Sequence, residues 1–267
     1  MERIEQRGLT GSALKWVAIV TMLIDHAGLT LVYGAAKFHH AWGTGLMSLK
    51  GYYFLRGVGR LSFPLFCFLL VEGFFHTRSR GKYLLRLGLF ALLSELPFDL
   101  ALKGTWQVFG NPELPFWTRI GLEFSSQNVF FTLFLGLLAV WIWDSLTLGN
   151  RPDCGGLRGL YAMICVIGLG AAAYYLKTDY RAMGVALILA LYLLHDRPWE
   201  RDLAAFGALG GMIAFGSMWI EIFAGLSFPL MHAYNGQRGR QSKYLFYLIY
   251  PGHLLALAIL QKLLFGG

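Results

Sequence analysis

Apolar stretches of membrane-spanning length recur along the chain, and the first of them, residues 14–32, already restricts the fold. A bilayer offers no water to backbone polar groups, and stretches of about 20 apolar residues satisfy those groups by forming helices. Of the 267 residues, 56% are hydrophobic and 14% are charged, which excludes a soluble globular domain and a disordered chain. We therefore predict an all-α polytopic membrane protein with a single integral-membrane domain over residues 1–267.

Two ionisable residues, Asp25 and His26, interrupt this first apolar stretch. An ionisable side chain inside a membrane helix is costly unless it faces a partner or a wet cavity, so a functional role is the first interpretation. Histidine titrates near neutrality and can accept and return a proton, which makes His26 the candidate reactive group. The alternative is that both residues satisfy polar groups on neighbouring helices.

Asp25 is the candidate helper of His26, but it cannot act from the same face of the helix. Side chains three or four positions apart meet on a helix, whereas adjacent ones diverge by about 100°. We therefore expect the partner of Asp25 to come from elsewhere in the chain.

The second predicted helix, residues 53–75, carries two pairs of polar residues spaced by four. Arg56 and Arg60 share one face near its start, and Glu72 precedes His76 at its end. Two guanidinium groups one turn apart suit a phosphate, a pyrophosphate or a carboxylate. Interfacial snorkelling is the alternative for the arginines.

The densest basic cluster follows this helix and contains Arg78, Arg80, Lys82 and Arg86. Loops on the cytoplasmic side of membrane proteins are enriched in Lys and Arg, so topology explains the cluster first. Binding of a phosphorylated ligand is the second interpretation, and both can hold together.

The third predicted helix, residues 83–102, contains Glu95 and Asp99 on one face, with Pro97 between them. A kinked and polar membrane helix usually borders a cavity. Asn128 opens the fourth span, with Thr132 one turn later on the same face. These polar positions are further site candidates.

Metal ligands are weakly indicated. His39 and His40 lie in the loop after the first helix, but no acidic or cysteine ligand is close in sequence, and a solvated or substrate-facing loop fits better. The three cysteines are widely separated, which predicts neither a disulfide framework nor a zinc site.

Two motifs near the carboxyl terminus add candidates. Tyr234 and Asn235 begin a glycine-rich turn that continues to Arg238. Pro251 interrupts the last helix and could direct His253 into the bundle, although plain packing explains it equally well.

The distribution of basic residues predicts about nine transmembrane helices, several of them short or kinked, with the amino terminus in the cytoplasm. The stretch 202–235 fits two short helices better than one, because a single helix would place the following basic loop outside, against the charge bias. This topology puts most basic residues inside, namely Arg3, Arg7, Lys15, Arg78, Arg80, Lys82, Arg86, Arg151, Arg158, Arg197, Arg201, Arg238, Arg240 and Lys243. The formal net charge of +8 is thereby explained without a nucleic-acid partner.

Several motifs together resemble one family. They are MLIDHAG at 22–28, GRLSFPLF at 59–66, VEGFFHT at 71–77, KYLLR at 82–86, SELPFD at 94–99, NVFFTL at 128–133, DY at 179–180, YNG at 234–236 and YPGH at 250–253. With these motifs the chain resembles the TraX family of conjugal-transfer membrane proteins over most of its length. The resemblance implies an inner-membrane protein that transfers acetyl groups, since the best-known member acetylates the amino terminus of pilin.

The family is more remotely similar to membrane acyltransferases such as glycan O-acetylases. Those enzymes carry an arginine early in a first helix and a catalytic histidine after ten intervening residues. His26 keeps the place of that histidine, and Lys15 stands where the arginine would be. The resemblance implies acetyl-CoA as donor, with phosphate-binding candidates among Arg56, Arg60, Arg78, Arg80, Lys82, Arg86 and Arg238.

The chemistry of the candidate residues and the family resemblance both indicate acyl transfer. In that reaction His26 would act as a general base or as a transient acyl carrier. The acceptor could be a pilin or peptide amino terminus or an envelope glycan. A different class of function, proton-coupled transport of a small molecule, would use Asp25 and His26 with the buried carboxylates Glu72, Glu95 and Asp99. A structural assembly factor is a third possibility.

Overall fold

The structure, a computed structural model, describes residues 8–32, 34, 49–108, 110–147, 155–214, 219–240 and 245–265. Within these ranges the chain is helical, and the β structure consists of two isolated bridges. The predicted all-α class is therefore confirmed. The loop with Lys37, His39, His40 and Trp42 lies outside the described residues, as do Cys154 and the basic residues Arg3, Arg7, Arg151 and Lys243.

The chain divides into two compact units, one formed by residues 1–69 and 218–267 and the other by residues 70–217. The prediction of a single functional domain over the whole chain stays a prediction. The helices of the first unit are α1 (Gly11–Ala27), which continues as a π-helical turn (Gly28–Val32), α2 (Leu49–Gly59), the first half of α3 (Ser62–His76), a 3₁₀ helix (Trp219–Leu226), α10 (Ser227–His232) and α11 (Leu245–Phe265).

The second unit begins inside α3. It contains α4 (Arg80–Phe98), followed by a π-helical turn (Asp99–Lys103) and a 3₁₀ turn (Thr105–Gln107), then α5 (Phe116–Arg119), α6 (Val129–Thr147), α7 (Gly155–Tyr175), α8 (Arg181–Leu193) and α9 (Pro198–Ala214).

Five of these segments are long and apolar enough to cross a membrane. They are Gly11–Val32, Lys50–His76, Val129–Thr147, Gly156–Tyr175 and Leu245–Phe265. The other four predicted spans coincide with helices that are shorter or more polar, α4, α8, α9 and the pair formed by the 3₁₀ helix and α10. A polytopic membrane protein is thus established, while the number nine stays a prediction.

The start of α1 is fixed by its neighbours in the first unit. The Thr10 hydroxyl accepts from the backbone N–H of Ala13 at 3.2 Å, which caps the helix. The next free N–H groups, those of Gly11 and Ser12, donate to the carbonyls of Gln237 and Arg238 at 2.8 and 3.0 Å. The predicted glycine-rich turn therefore holds the amino-terminal end of α1, the helix that carries His26 near its other end.

In the second unit, α6 packs against α4, α7 and α8. Gly136 lets α6 approach α8 closely, because a Cβ there would meet Ile188 at 2.2 Å. Close helix contact through small residues is typical of membrane bundles, where dispersion forces replace the hydrophobic effect. The outer face of α7 leaves large apolar side chains such as Ile164 and Ile167 exposed, which suits contact with lipid.

Candidate functional site

Two histidines from distant parts of the sequence meet in the first unit. Nδ1 of His26, on α1, lies 2.7 Å from Nε2 of His253, on α11. The ring planes differ by 4° and the centroids are 5.0 Å apart. That separation is close to the nitrogen–nitrogen distance plus the two ring radii, so the rings lie edge to edge in one plane and share a hydrogen bond instead of stacking.

Both rings are held in place. Nδ1 of His253 lies 2.8 Å from the carbonyl oxygen of Ile249, one helical turn earlier. Tyr250, only 1% exposed, packs its ring edgewise on both imidazoles, with centroids 6.1 Å from His26 and 5.7 Å from His253. The other ring nitrogen of His26, Nε2, has no hydrogen-bond partner in the part of the chain that the structure describes.

A buried charge network lies one residue away from this pair. Oδ2 of Asp25 accepts from Nη1 of Arg56 at 2.5 Å and from Nη2 of Arg60 at 2.8 Å. Nη1 of Arg60 also donates to Oε1 of Glu221 at 2.8 Å. The expectation that Asp25 has its partner elsewhere is confirmed, because two arginines from a different segment hold it. Two cations and two anions balance here, which is how charges are tolerated away from water.

Arg56 and Arg60 lie one helical turn apart on one side of the chain, as predicted. Although α2 ends at Gly59, the backbone N–H of Arg60 still donates to the Arg56 carbonyl at 3.2 Å, and both guanidinium groups reach the same oxygen of one carboxylate. Both are predicted phosphate ligands, yet both already contact carboxylates. Binding of a phosphate would have to displace Asp25 or use the remaining N–H groups, so these arginines are better suited to positioning α1.

Lys15 and Arg240 line a shallow open groove near the start of α1. The aromatic rings of Trp16 and Phe246 also line it, and Nζ of Lys15 lies 5.2 Å from the centre of the Phe246 ring. No acidic residue is among the residues that line this groove. Two cations beside aromatic surface form a setting for an anionic, partly planar ligand.

The turn after α10 borders this region. The Asn235 backbone N–H donates to the Leu9 carbonyl at 3.0 Å, and the Asn235 side chain accepts from the Gln237 N–H at 3.0 Å. The Tyr234 ring packs edgewise on Phe68. Tyr234 and Asn235 thus shape the turn, and the exposed side chain of Arg238 projects from it.

The remaining predicted candidates belong to the second unit. Glu95 is 7% exposed, and its Oε2 accepts from the Asn128 amide at 2.5 Å and from the Asn128 backbone N–H at 3.2 Å. Asp99, fully buried, pairs with Nζ of Lys103 at 2.7 Å. Lys103 also donates to the carbonyls of Glu123 and Ser126. These contacts tie the end of α4 to the segment before α6.

Glu72 and Arg80, a member of the basic cluster, also have partners within the second unit. Oε1 of Glu72 lies 2.6 Å from Nε2 of His195, whereas the predicted neighbour His76 places its Nδ1 2.8 Å from the Glu72 carbonyl instead of the carboxylate. Arg80 pairs with Asp144, which also accepts from the Tyr192 hydroxyl at 2.6 Å. Arg78 and Lys82 are exposed, and Arg86 lies 5.9 Å from the ring centre of Tyr83.

The predicted set of phosphate ligands is therefore divided. Arg56, Arg60 and Arg238 belong to the first unit, and Arg78, Arg80, Lys82 and Arg86 belong to the second. Among the described residues, no three His, Cys, Asp or Glu side chains lie close enough together to hold a metal ion.

Sequence reasoning missed two participants. Glu221 was not among the predicted site residues, although an acidic residue inside an apolar stretch is itself a site signal. The carbonyl of Ile249 gives no sequence signal, because its role depends on the orientation of the His253 ring one turn away.

The described helices and the half-buried pair of His26 and His253 define the class of protein. It is an integral membrane protein with a polar site inside a helical unit. The chain matches the TraX family, described as TraX protein, over residues 10–261, and it belongs to that family. It is similar to the probable fimbrial assembly protein FimC, serogroup H1, of Dichelobacter nodosus, with 33% identity over 262 residues that cover 91% of this chain and 92% of the relative. No solved structure matches the chain significantly.

Proposed function

We propose that this chain is a membrane-embedded acetyltransferase that moves an acetyl group from acetyl-CoA to an amine or hydroxyl acceptor. The observation that carries the proposal is the histidine pair. His26 stands inside a membrane-spanning segment, its Nδ1 is held by His253, and its Nε2 has no hydrogen-bond partner among the described residues. An imidazole with one nitrogen held and the other open is the arrangement that general-base catalysis uses.

The reaction can be written with His26 as the only proton carrier. Nε2 takes a proton from the acceptor amine while the amine nitrogen attacks the thioester carbonyl carbon. A carbon–nitrogen bond forms, the carbon–sulfur bond breaks, and the departing CoA thiolate takes the proton back from the imidazolium as a thiol. An acyl-histidine intermediate would place the acetyl group on Nε2 first, and the same free nitrogen would serve.

The groove with Lys15 and Arg240 is the best-supported place for the donor's phosphates. No acidic residue lines the groove beside its two cationic side chains. Arg56 and Arg60, in contrast, already pair with a carboxylate. Lys15 and His26 lie eleven residues apart on α1, which is about 16 Å along a helix. The extended pantetheine arm of CoA can cover such a span, so phosphates at Lys15 would allow the thioester to reach His26.

The acceptor is proposed from the relative's description as a fimbrial assembly protein. A fimbrial or pilin subunit offers an amino-terminal amine, which is a nucleophile that a thioester can acylate. We therefore propose a pilin-like amino terminus as the first acceptor to test, with envelope glycans second.

The test uses the purified full chain in detergent, with acetyl-CoA and synthetic peptides whose free amino terminus resembles that of a pilin. Release of CoA thiol and acetylation of the peptide are measured together. We expect the His26→Asn variant to fold and bind acetyl-CoA but to lose about a hundredfold or more in rate. His232→Asn, at an exposed histidine of the same unit, is the matched control and should keep its rate.

A wild-type chain that neither binds acetyl-CoA nor releases thiol with any acceptor would remove the proposal. So would a His26→Asn variant that loses stability but keeps its rate per folded molecule.

Proton-coupled transport is the second candidate, and the buried carboxylates Glu95 and Asp99 favour it. Each already has a close partner, Asn128 or Lys103, which suits a structural role as well. Reconstituted vesicles decide between the two functions. Proton uptake driven by a solute gradient, in the absence of acetyl-CoA, would establish transport.

A further inference from the structure

The hydrogen bond between His253 and Ile249 determines where the protons of the histidine pair reside. A carbonyl oxygen can only accept, so Nδ1 of His253, 2.8 Å from the Ile249 oxygen, must carry a hydrogen. A neutral imidazole has a single N–H group. Nε2 of neutral His253 is therefore an acceptor.

The same reasoning applies to the imidazole ring of His26. Nδ1 of His26 lies 2.7 Å from Nε2 of His253, and a hydrogen bond needs one donor and one acceptor. Since Nε2 of His253 accepts, Nδ1 of His26 must donate. The single N–H of neutral His26 is then used, and its Nε2 is left with a lone pair and no partner among the described residues.

From this chain of donors we infer that His253 is a positioning residue that fixes the tautomer of His26, so that Nε2 of His26 is always the basic nitrogen. The inference rests on the proposed function, because it assigns His253 a role in the proposed proton transfer. The Ile249 carbonyl serves as the last acceptor of the chain, the place that a buried carboxylate takes in a catalytic triad.

The arrangement has consequences for the reaction. With the opposite tautomer, Nε2 of His26 would carry a hydrogen and could not accept one from the acceptor. When Nε2 takes a proton, the resulting imidazolium keeps its Nδ1–H bond to His253, so no side chain has to reorient during the step. Tyr250 contributes by packing against both rings, which restricts their rotation.

The direct test reads the protonation of each nitrogen by ¹⁵N NMR. The chain is labelled with ¹⁵N-histidine, held at a pH high enough for both rings to be neutral, and compared with His26→Asn and His253→Gln for assignment. Amine-type and imine-type ring nitrogens differ widely in ¹⁵N shift. We expect Nδ1 of both rings to be amine-type and Nε2 of both to be imine-type.

An amine-type Nε2 on neutral His26 would overturn the inference. This measurement needs no substrate, so it can fail or succeed independently of the acetyltransferase proposal.

The second test is a matched pair of variants. Gln at 253 keeps an acceptor near the position of Nε2, whereas Leu has a similar size and no acceptor. We expect His253→Leu to lose about tenfold or more in kcat and His253→Gln to recover most of that loss. The penalty should be smaller than the ~10⁴-fold that a reversed tautomer costs in a serine-protease triad, because His26 without a partner still samples the active form.

In His253→Leu, Nε2 of His26 should also become partly amine-type in the NMR spectrum. Equal rates in the two variants, with an unchanged His26 tautomer, would show that His253 only packs.

Discussion

Gly59 lies so close to Asp25 that any side chain at position 59 would occupy the space of the carboxylate. A Cβ built on Gly59 would be 2.2 Å from the Asp25 Cβ and 2.3 Å from its Oδ1. The last residue of α2 therefore makes room for the group that binds Arg56 and Arg60, and the charge network depends on a missing side chain.

The first prediction follows directly. Gly59→Ala should destabilise the protein by about 1–3 kcal/mol, because the methyl group must push the Asp25 carboxylate out of its place. Thermal unfolding in detergent measures the effect. Gly168→Ala is the matched control, since a Cβ at that helical glycine meets no atom within 4 Å. Equal unfolding temperatures for both variants would contradict the close approach.

A second prediction concerns the balance of charges. The side chains of Asp25, Arg60 and Glu221 are each less than a tenth exposed. Asp25→Asn leaves two buried guanidinium groups facing one carboxylate, and breaking a buried ion pair in this way costs about 3–5 kcal/mol. Adding Arg56→Met to Asp25→Asn removes the cation that has lost its carboxylate and keeps Arg60 paired with Glu221, so the double variant should be more stable than Asp25→Asn alone. If it is less stable, charge balance does not hold the network together.

The same variants test the predicted catalytic role of Asp25. If Asp25 only positions α1, the rate per folded molecule should recover in the double variant together with stability. A rate that stays low while stability recovers would instead assign Asp25 to the chemistry.

The helices and much of the site could be predicted from the sequence because both leave local signals. The length of the apolar stretches predicted the membrane spans. Asp25, His26 and Glu95 became site candidates because they are ionisable residues inside those stretches. The pairing of His26 with His253 could not be predicted, because 227 positions separate the two residues and helix periodicity says nothing about which distant helix is a neighbour. The π-helical turns after Ala27 and Phe98 also escaped prediction, since their hydrophobic pattern matches that of an α-helix.

A third prediction uses the contact between Glu72 and His195, which raises the pKa of His195 above its ordinary value of 6.5. A raised pKa in the folded state stabilises the protein fully below the unfolded value and loses that contribution as pH rises through the folded value. The difference in Tm between wild type and Glu72→Gln should therefore shrink from pH about 6 to pH about 9. Glu200→Gln is the control, because its partner Arg197 does not titrate in this range. A difference that grows with pH would rule out a protonated His195.

The fourth prediction concerns topology. The turn with Arg238 and Arg240 should face the cytoplasm, because its reversal would oppose the charge bias. Gln237→Cys, at an exposed position, is introduced into a chain whose native cysteines are replaced by serine. An impermeant thiol reagent should label it only after the cells are opened. Labelling in intact cells would place this turn, and with it the start of α1, on the opposite side.

The last prediction separates donor binding from chemistry. If Lys15 holds a phosphate of acetyl-CoA, it makes the same contact in the ground state and in the transition state. Lys15→Gln should then raise the apparent KM for acetyl-CoA by about tenfold and leave kcat nearly unchanged. Lys262→Gln, at an exposed position on α11, removes the same charge away from the groove and should change neither constant. Arg60→Met provides the opposite comparison, since the pairing of Arg60 with Asp25 and Glu221 predicts lost stability at an unchanged KM. A raised KM in Arg60→Met with normal kinetics in Lys15→Gln would move the phosphate site from the groove to the charge network, as the spacing of Arg56 and Arg60 first indicated.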